Sequence, residues 1–221
     1  MPDVPAGLRE RKKQRTRASL IDAAIELCLE QGYNQTTVDQ IAAAADVSPR
    51  TFSRYFATKD AVFLTLIEDY VDEVAIELSS TPLDVGPLEA LRLAHVTTLS
   101  RAANHQLGNF TPDRIALMLR VINASGALRQ AAFEFKHEPS HVFVASRMGV
   151  PVGDRRAELV SAIFSAVIVT ACGDLIDNSD GTPLGPGVMI DRLNDAFAQV
   201  AMLASDLNAS ASVRKYELVN G

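Results

Sequence analysis

A chain of 221 residues, 48% of them apolar, can bury a sizeable core, and no stretch of it reaches the ~18 uncharged apolar residues that a membrane span needs. No apolar run follows the first charges, as a secretory signal would require, and Cys28 and Cys172 are the only cysteines, too few for a disulfide framework and in keeping with a reducing cytoplasm. The net charge of −6 argues against nucleic acid as a partner, but it conceals an asymmetry: residues 9–17, RERKKQRTR, hold six basic residues and one acid, whereas residues 61–221 hold 12 basic and 19 acidic ones. A basic arm ahead of an acidic body is expected where one end meets phosphate, although a solvated tail gives the same pattern.

In chain order, nearly every segment reads as helix. Leu20, Ile21, Ala24, Ile25 and Cys28 recur at helical spacing, and Gly32 supplies a stop. Thr37 and Gln40 have capping-box spacing at the start of a second helix, whose inner face is Val38, Ile41, Ala42 and Ala45. Asp46-Val47-Ser48 breaks that helix. Ser48 is a good N-cap for a short third helix, PRTFSRYF, with Pro49 at its first position. Thr58 caps a longer fourth helix, and Asp60 suits its N-terminal dipole. Residues 79–87 form a loop. Helices follow near 88–107, 112–124 and 127–147, the last interrupted by Pro139. The apolar run VFVAS at 142–146 is the only strand-like stretch. Two long apolar helices near 155–177 and 188–207 close the chain around the loop NSDGTPLGPG, and the tail from about Asn208 reads as frayed.

Two short helices joined by a three-residue turn make a helix-turn-helix. Phe52, Tyr55 and Phe56 share one apolar face of the third helix, leaving Arg50, Ser53 and Arg54 opposite, flanked by Pro49 and Thr51. A helix pinned by aromatics on one side can lie in a major groove with the other. There an arginine reads guanine O6 and N7, and a serine or threonine reaches bases or phosphates. Tyr55 sits at the edge of the buried face, within reach of phosphate. Thr36, Thr37, Ser48 and Lys59 lie at helix starts, where backbone N–H groups favour anions, and Arg17 closes the basic arm. The competing reading is a helical hairpin with a solvated third helix.

The stretch LIDAAIELCLEQGYNQTTVDQIAAAADVSPRTFSRYFATKDAVF, within residues 17–70, resembles the DNA-binding domain of the TetR family of bacterial regulators. The resemblance covers about a quarter of the chain. It implies an all-α protein: an N-terminal three-helix DNA-binding domain over residues 1–60, joined by a linking helix to a larger effector-binding and dimerisation domain over 61–221. By position, Thr37, Arg50, Thr51, Tyr55 and Lys59 match the family's DNA-contacting positions. The sequence departs from the pattern at Arg50, often glycine, and at Ser53, often an aromatic on phosphate, so the family's specificity does not carry over.

The resemblance further implies a homodimer through the last two long helices, binding double-stranded, near-palindromic operator DNA, and a small-molecule effector in the larger domain. Phe110, Met118, Val121, Phe133, Phe143, Phe164, Ile168 and Cys172 are candidate cavity residues, with His137 and His141 as a polar edge. Few charges punctuate these helices, which favours a hydrophobic or amphipathic effector; plain core is the competing reading of the aromatic stripe. His137-Glu138-Pro139-Ser140-His141 formally matches the zinc-protease pattern H-E-x-x-H. Pro139 is expected to break the helical turn that such a site needs and to push Glu138 out of helical geometry. The chain therefore reads as a cytoplasmic, ligand-responsive repressor with neither catalysis nor cofactor. A helical interaction module and a zinc hydrolase are the rival classes.

Overall fold

The computed structural model describes residues 7–108, 110–175 and 183–220, with the backbone alone for 207–220. Ten helices and no strand occur among them: α1 Leu8–Gln31, α2 Val38–Ala44, α3 Pro49–Tyr55, α4 Lys59–Ser80, α5 Pro87–Ala103, α6 Pro112–Ala124, α7 Gly126–Glu134, α8 Glu138–Arg147, α9 Arg155–Cys172 and α10 Pro186–Asn220.

Short polar side chains start most of the helices by satisfying backbone N–H groups that have no intrahelical acceptor. Thr37 and Gln40 form a reciprocal capping box. Ser48, Thr58, Thr111 and Ser125 each accept from the N–H three residues on, and Asp154 accepts from Arg156. The turn between α2 and α3 closes with Val47 N–H donating to Ala42 and Asp46 N–H donating to Ala43. It holds Asp46 at φ 54, a left-handed conformation that aspartate tolerates better than most residues.

α4 organises the core. It packs against α1 on the N-terminal side and against α5, α6, α7 and α8 beyond. Val62, Phe63, Leu66, Ile67, Tyr70, Val74 and Leu78 are buried along its length. Its N-terminus is fixed by Lys59, whose ammonium donates to the carbonyls of Tyr33 at 2.8 Å and Thr36 at 2.9 Å and lies 4.0 Å from the centre of the Tyr33 ring. Its C-terminus is held by Arg147, the last residue of α8, which donates to the carbonyls of Leu78, Thr81, Pro82 and Val85. The Leu78 carbonyl belongs to the last turn of α4, where a helix end leaves acceptors short of partners, and Thr81, Pro82 and Val85 belong to the connection that follows. At the other end of α8, His137 bonds Asp72 of α4 at 2.9 Å. Both ends of α8 are therefore fastened to α4.

Several expectations are corrected. The basic arm is continuous with α1, because nothing between Leu8 and Leu20 breaks a helix. The VFVAS stretch lies inside α8, where it follows the helical period of its neighbours. Pro139 opens α8 in its first turn, where a missing N–H breaks no hydrogen bond, so Glu138 is helical after all. α5 ends at Ala103 and α9 at Cys172. The α10 backbone is helical through Asn220, past the expected fraying point. Asp177 and residues 178–182, the first half of the NSDGTPLGPG loop, lie outside the described residues.

Replacing Arg147 by Met keeps the aliphatic stem and removes its donations to four carbonyls, of which Leu78 and Pro82 keep a backbone N–H. Chemical denaturation should show a loss of about 2–4 kcal/mol relative to the unaltered chain.

Candidate nucleic-acid interface and cavity

α3 is anchored by Phe52 and Phe56, which are buried with ring centres 5.8 Å apart. That anchor turns Pro49, Arg50, Ser53 and Arg54 to solvent, with Thr51 and Tyr55 half-buried beside them. Arg50 makes no hydrogen bond or ion pair among the described residues, so its guanidinium has all its donors available. The Arg54 guanidinium lies 5.4 Å from the centre of the Tyr55 ring, which restrains both side chains at one edge. Ser53 donates back to the Pro49 carbonyl at 3.1 Å. The hydroxyls of Ser48 and Thr51 lie 3.0 Å apart. Thr37 is exposed at the start of α2. The arm residues Arg9, Arg11, Lys12, Lys13 and Arg15 are exposed along the first turns of α1. Arg17 lies over the Phe56 ring at 5.4 Å and 3.9 Å from Glu68.

Two residues expected at this surface are placed differently. Thr36 is 1% exposed, and its hydroxyl donates to the Gly32 carbonyl at 2.9 Å. A threonine one position before an N-cap closes the preceding turn, so its side chain is not a surface group. Lys59 turns inward to the two carbonyls described above, which leaves one of its three donors.

The larger part of the chain holds a half-open cavity of about 150 Å³ between α4, α5, α6, α7, α8, α9 and the start of α10. Six expected residues line it: Met118, His137, His141, Phe164, Ile168 and Cys172. Four do not. Phe110 packs on the Tyr70 ring at 5.9 Å, Val121 is buried in the core, Phe133 is 42% exposed, and Phe143 packs half-buried against the core. The polar lining was not anticipated: Tyr70, His95, Asn123, Arg129, Ser140, Ser161 and Ser165.

Tyr70 and His95 form a buried pair, with the phenol oxygen 2.8 Å from His95 Nδ1. A buried hydroxyl needs an acceptor, so Tyr70 donates and the His95 proton sits on Nε2. Burial lowers the His95 pKa from 6.5 to about 3, keeping the ring neutral, and it holds the Tyr70 phenol well above its ordinary value. His95 in turn packs against Phe164, with ring centres 4.6 Å apart and the planes tilted by 38°. The thiol of Cys172 is pushed up to about 12 by burial and that of Cys28 to about 11, so neither is poised as a thiolate.

His137 caps α8 and uses both ring nitrogens, Nε2 with Asp72 at 2.9 Å and Nδ1 with Ser140 at 2.8 Å. His141 Nδ1 lies 3.6 Å from Glu158. The H-E-x-x-H stretch therefore does not present two unengaged imidazole nitrogens on one helical face. Asp174, whose place near the end of α9 disfavours the helix dipole, pairs with Arg192 of α10 at 3.2 Å.

Comparison with known proteins gives consistent likenesses. The sequence model described as bacterial regulatory proteins, tetR family, matches residues 20–66. The HTH-type transcriptional regulator TcmR of Streptomyces glaucescens is 36% identical over 170 residues, covering 75% of each chain. Among solved structures, Thermus thermophilus FadR, a TetR family transcriptional repressor in complex with lauroyl-CoA, superposes with a TM-score of 0.52 at 22% identity, covering 82% of this chain and 91% of that one. The last likeness concerns the fold alone.

Because the folded chain resists protonation of His95 down to about pH 3 while the unfolded chain takes up the proton near 6.5, the neutral ring contributes full stability above 6.5. That contribution is lost as pH falls toward 3, at about 1.4 kcal/mol per pH unit. His95→Gln, which can still accept from Tyr70, should flatten the acid limb by one proton's slope in denaturation series between pH 6 and 4.

Proposed function

The chain belongs to the TetR family of bacterial regulatory proteins and is a DNA-binding transcriptional regulator, and from that premise we propose that it is a homodimeric repressor of a near-palindromic operator, released by a small amphipathic effector. Residues 1–60 would form the DNA-binding unit and 61–221 the unit for effector and dimer, with α4 shared between them. The observation that carries the reading is the exposed polar face of α3, with Arg50 unengaged and Arg54 steadied on Tyr55.

On this reading Arg50 and Arg54 reach base edges or phosphate from the major groove. Thr37, Ser48, Pro49, Thr51, Ser53 and Tyr55 line the backbone on either side, and the basic arm with Arg17 supplies sequence-independent attraction. The back-bonded Ser53 offers less reach than an aromatic, so the free Arg50 contributes relatively more to base reading.

One short helix binds weakly, and a twofold axis presents two of them about one helical turn, ~34 Å, apart. Supporting a dimer, Leu159 on α9 and Met202 and Leu203 on α10 are each about 60% exposed in the single chain. Large apolar side chains exposed on two helices that pack on each other favour burial against a second copy. An effector in the cavity would act through α8 and α4. It needs only a few kcal/mol of differential affinity between head spacings to release DNA. No step of this function calls for catalysis or a cofactor.

Selection of bound sequences from a random duplex library, with the purified chain, tests this. Enrichment of a near-palindrome with half-site centres about 10 base pairs apart is expected, and no enrichment at low salt would refute it. The same selection with Arg50→Ala should return a motif degenerate at one position per half-site, with affinity for the original site lower by about 1–3 kcal/mol.

A further inference from the structure

We infer that the cavity takes a small organic acid of about one ring, with a hydroxyl beside its acidic oxygen, held between Asn123 and Arg129; this rests on the reading of the cavity as the effector site. The two residues carry polar atoms that the protein leaves without partners. Asn123 is 4% exposed, and its Nδ2 donates to the carbonyls of Cys172 at 2.8 Å and Leu175 at 3.2 Å. Those two acceptors fix the orientation of the amide. They leave Oδ1 buried with no partner. A carboxamide oxygen only accepts, so the group that satisfies it must donate, as a hydroxyl does.

Arg129 supplies the complementary demand. Its Nε is buried without a partner, and its Nη2 donates to the Asn123 carbonyl at 3.3 Å. No carboxylate lies within 4.0 Å of it among the described residues, and no aspartate or glutamate lines the cavity. Of the three lining histidines, His95 is engaged by Tyr70, and the other two face acids of their own, His137 with Asp72 and His141 with Glu158. Arg129 is thus a cation at the cavity wall without an internal counter-charge, and it favours an anionic oxygen. Because Arg129 adjoins Asn123 at the cavity wall, a ligand whose hydroxyl lies next to its acidic oxygen can meet both demands at once.

The remaining wall sets size and body. Ile67, Val71, Leu91, Met118, Ile122 and Val144 are apolar. A cavity of about 150 Å³ matches one that accommodates benzene. A one-ring body with a hydroxyl adjacent to a carboxylate meets all three demands.

The test is calorimetric titration of the full chain with 2-hydroxybenzoate, benzoate and methyl benzoate. The hydroxy acid should bind about tenfold more tightly than benzoate, and benzoate about tenfold more tightly than its ester. Arg129→Gln should close the gap between acid and ester, and Ile168→Phe, which fills the cavity, should abolish binding of all three. Asn123 also ties down the end of α9 through Nδ2, so the hydroxyl requirement is read from the ligand series on the unaltered protein. If the ester binds as tightly as both acids and Ile168→Phe abolishes that binding, the acid proposal falls while the cavity reading stands. The same holds if the hydroxyl adds nothing, which would leave Asn123 Oδ1 without a ligand partner. No binding by any probe, or binding indifferent to Ile168→Phe, overturns both.

Discussion

The fold depends on α4 being one continuous helix that two parts of the chain share. Its first turns bury Val62, Phe63 and Leu66 against α1, and its later turns bury Tyr70, Val74 and Leu78 in the larger helical domain. Neither end is left loose: Lys59 ties the start to the α1–α2 connection, and Arg147 ties the end to α8. Close-packed interiors do not deform continuously, so a displacement anywhere along such a helix is carried to its far end. α8 borders the cavity and is fastened to α4 at both of its ends, through His137 with Asp72 and through Arg147. In the function proposed above, this is the mechanical route by which occupancy of the cavity reaches α3.

The same economy governs the N-terminal surface. Phe52 and Phe56 fix the orientation of α3, and the groups facing solvent follow from that anchor with no further device. Charge is distributed to match: exposed bases follow one another along the start of α1, while acids predominate beyond residue 60. An acidic body under a basic head keeps attraction for a polyanion local to one end and disfavours phosphate elsewhere.

How much of this was legible in the sequence follows from the kind of signal each feature leaves. The helix starts at Thr37, Ser48 and Thr58 could be read because a cap is a local event between a side chain and an N–H three residues on. Thr36 and Lys59 could not be placed, since their partners are carbonyls of a turn whose path no local pattern prescribes. The cavity was half legible. Apolar stripes pointed to Met118, Phe164 and Ile168, yet Val121 and Phe143 share the same composition and face the core. The polar lining, Tyr70 with His95 and Asn123 with Arg129, left no periodic trace, because single polar residues on apolar helices look alike whether they face solvent or a cavity. Pro139 was read as a break within a helix when it is a beginning, the same residue serving either purpose according to which turn it occupies.

The account stands most directly on sequence-specific recognition of duplex DNA through α3. The decisive measurement is the ratio of affinities for a duplex bearing the selected site and a scrambled duplex of equal length and composition, taken at rising salt. The account predicts a preference of about a thousandfold or more at physiological salt, with affinity for both duplexes falling as salt rises. Equal affinity for the two duplexes, lost in parallel with salt, would contradict it and leave only a basic arm that adheres to polyanions.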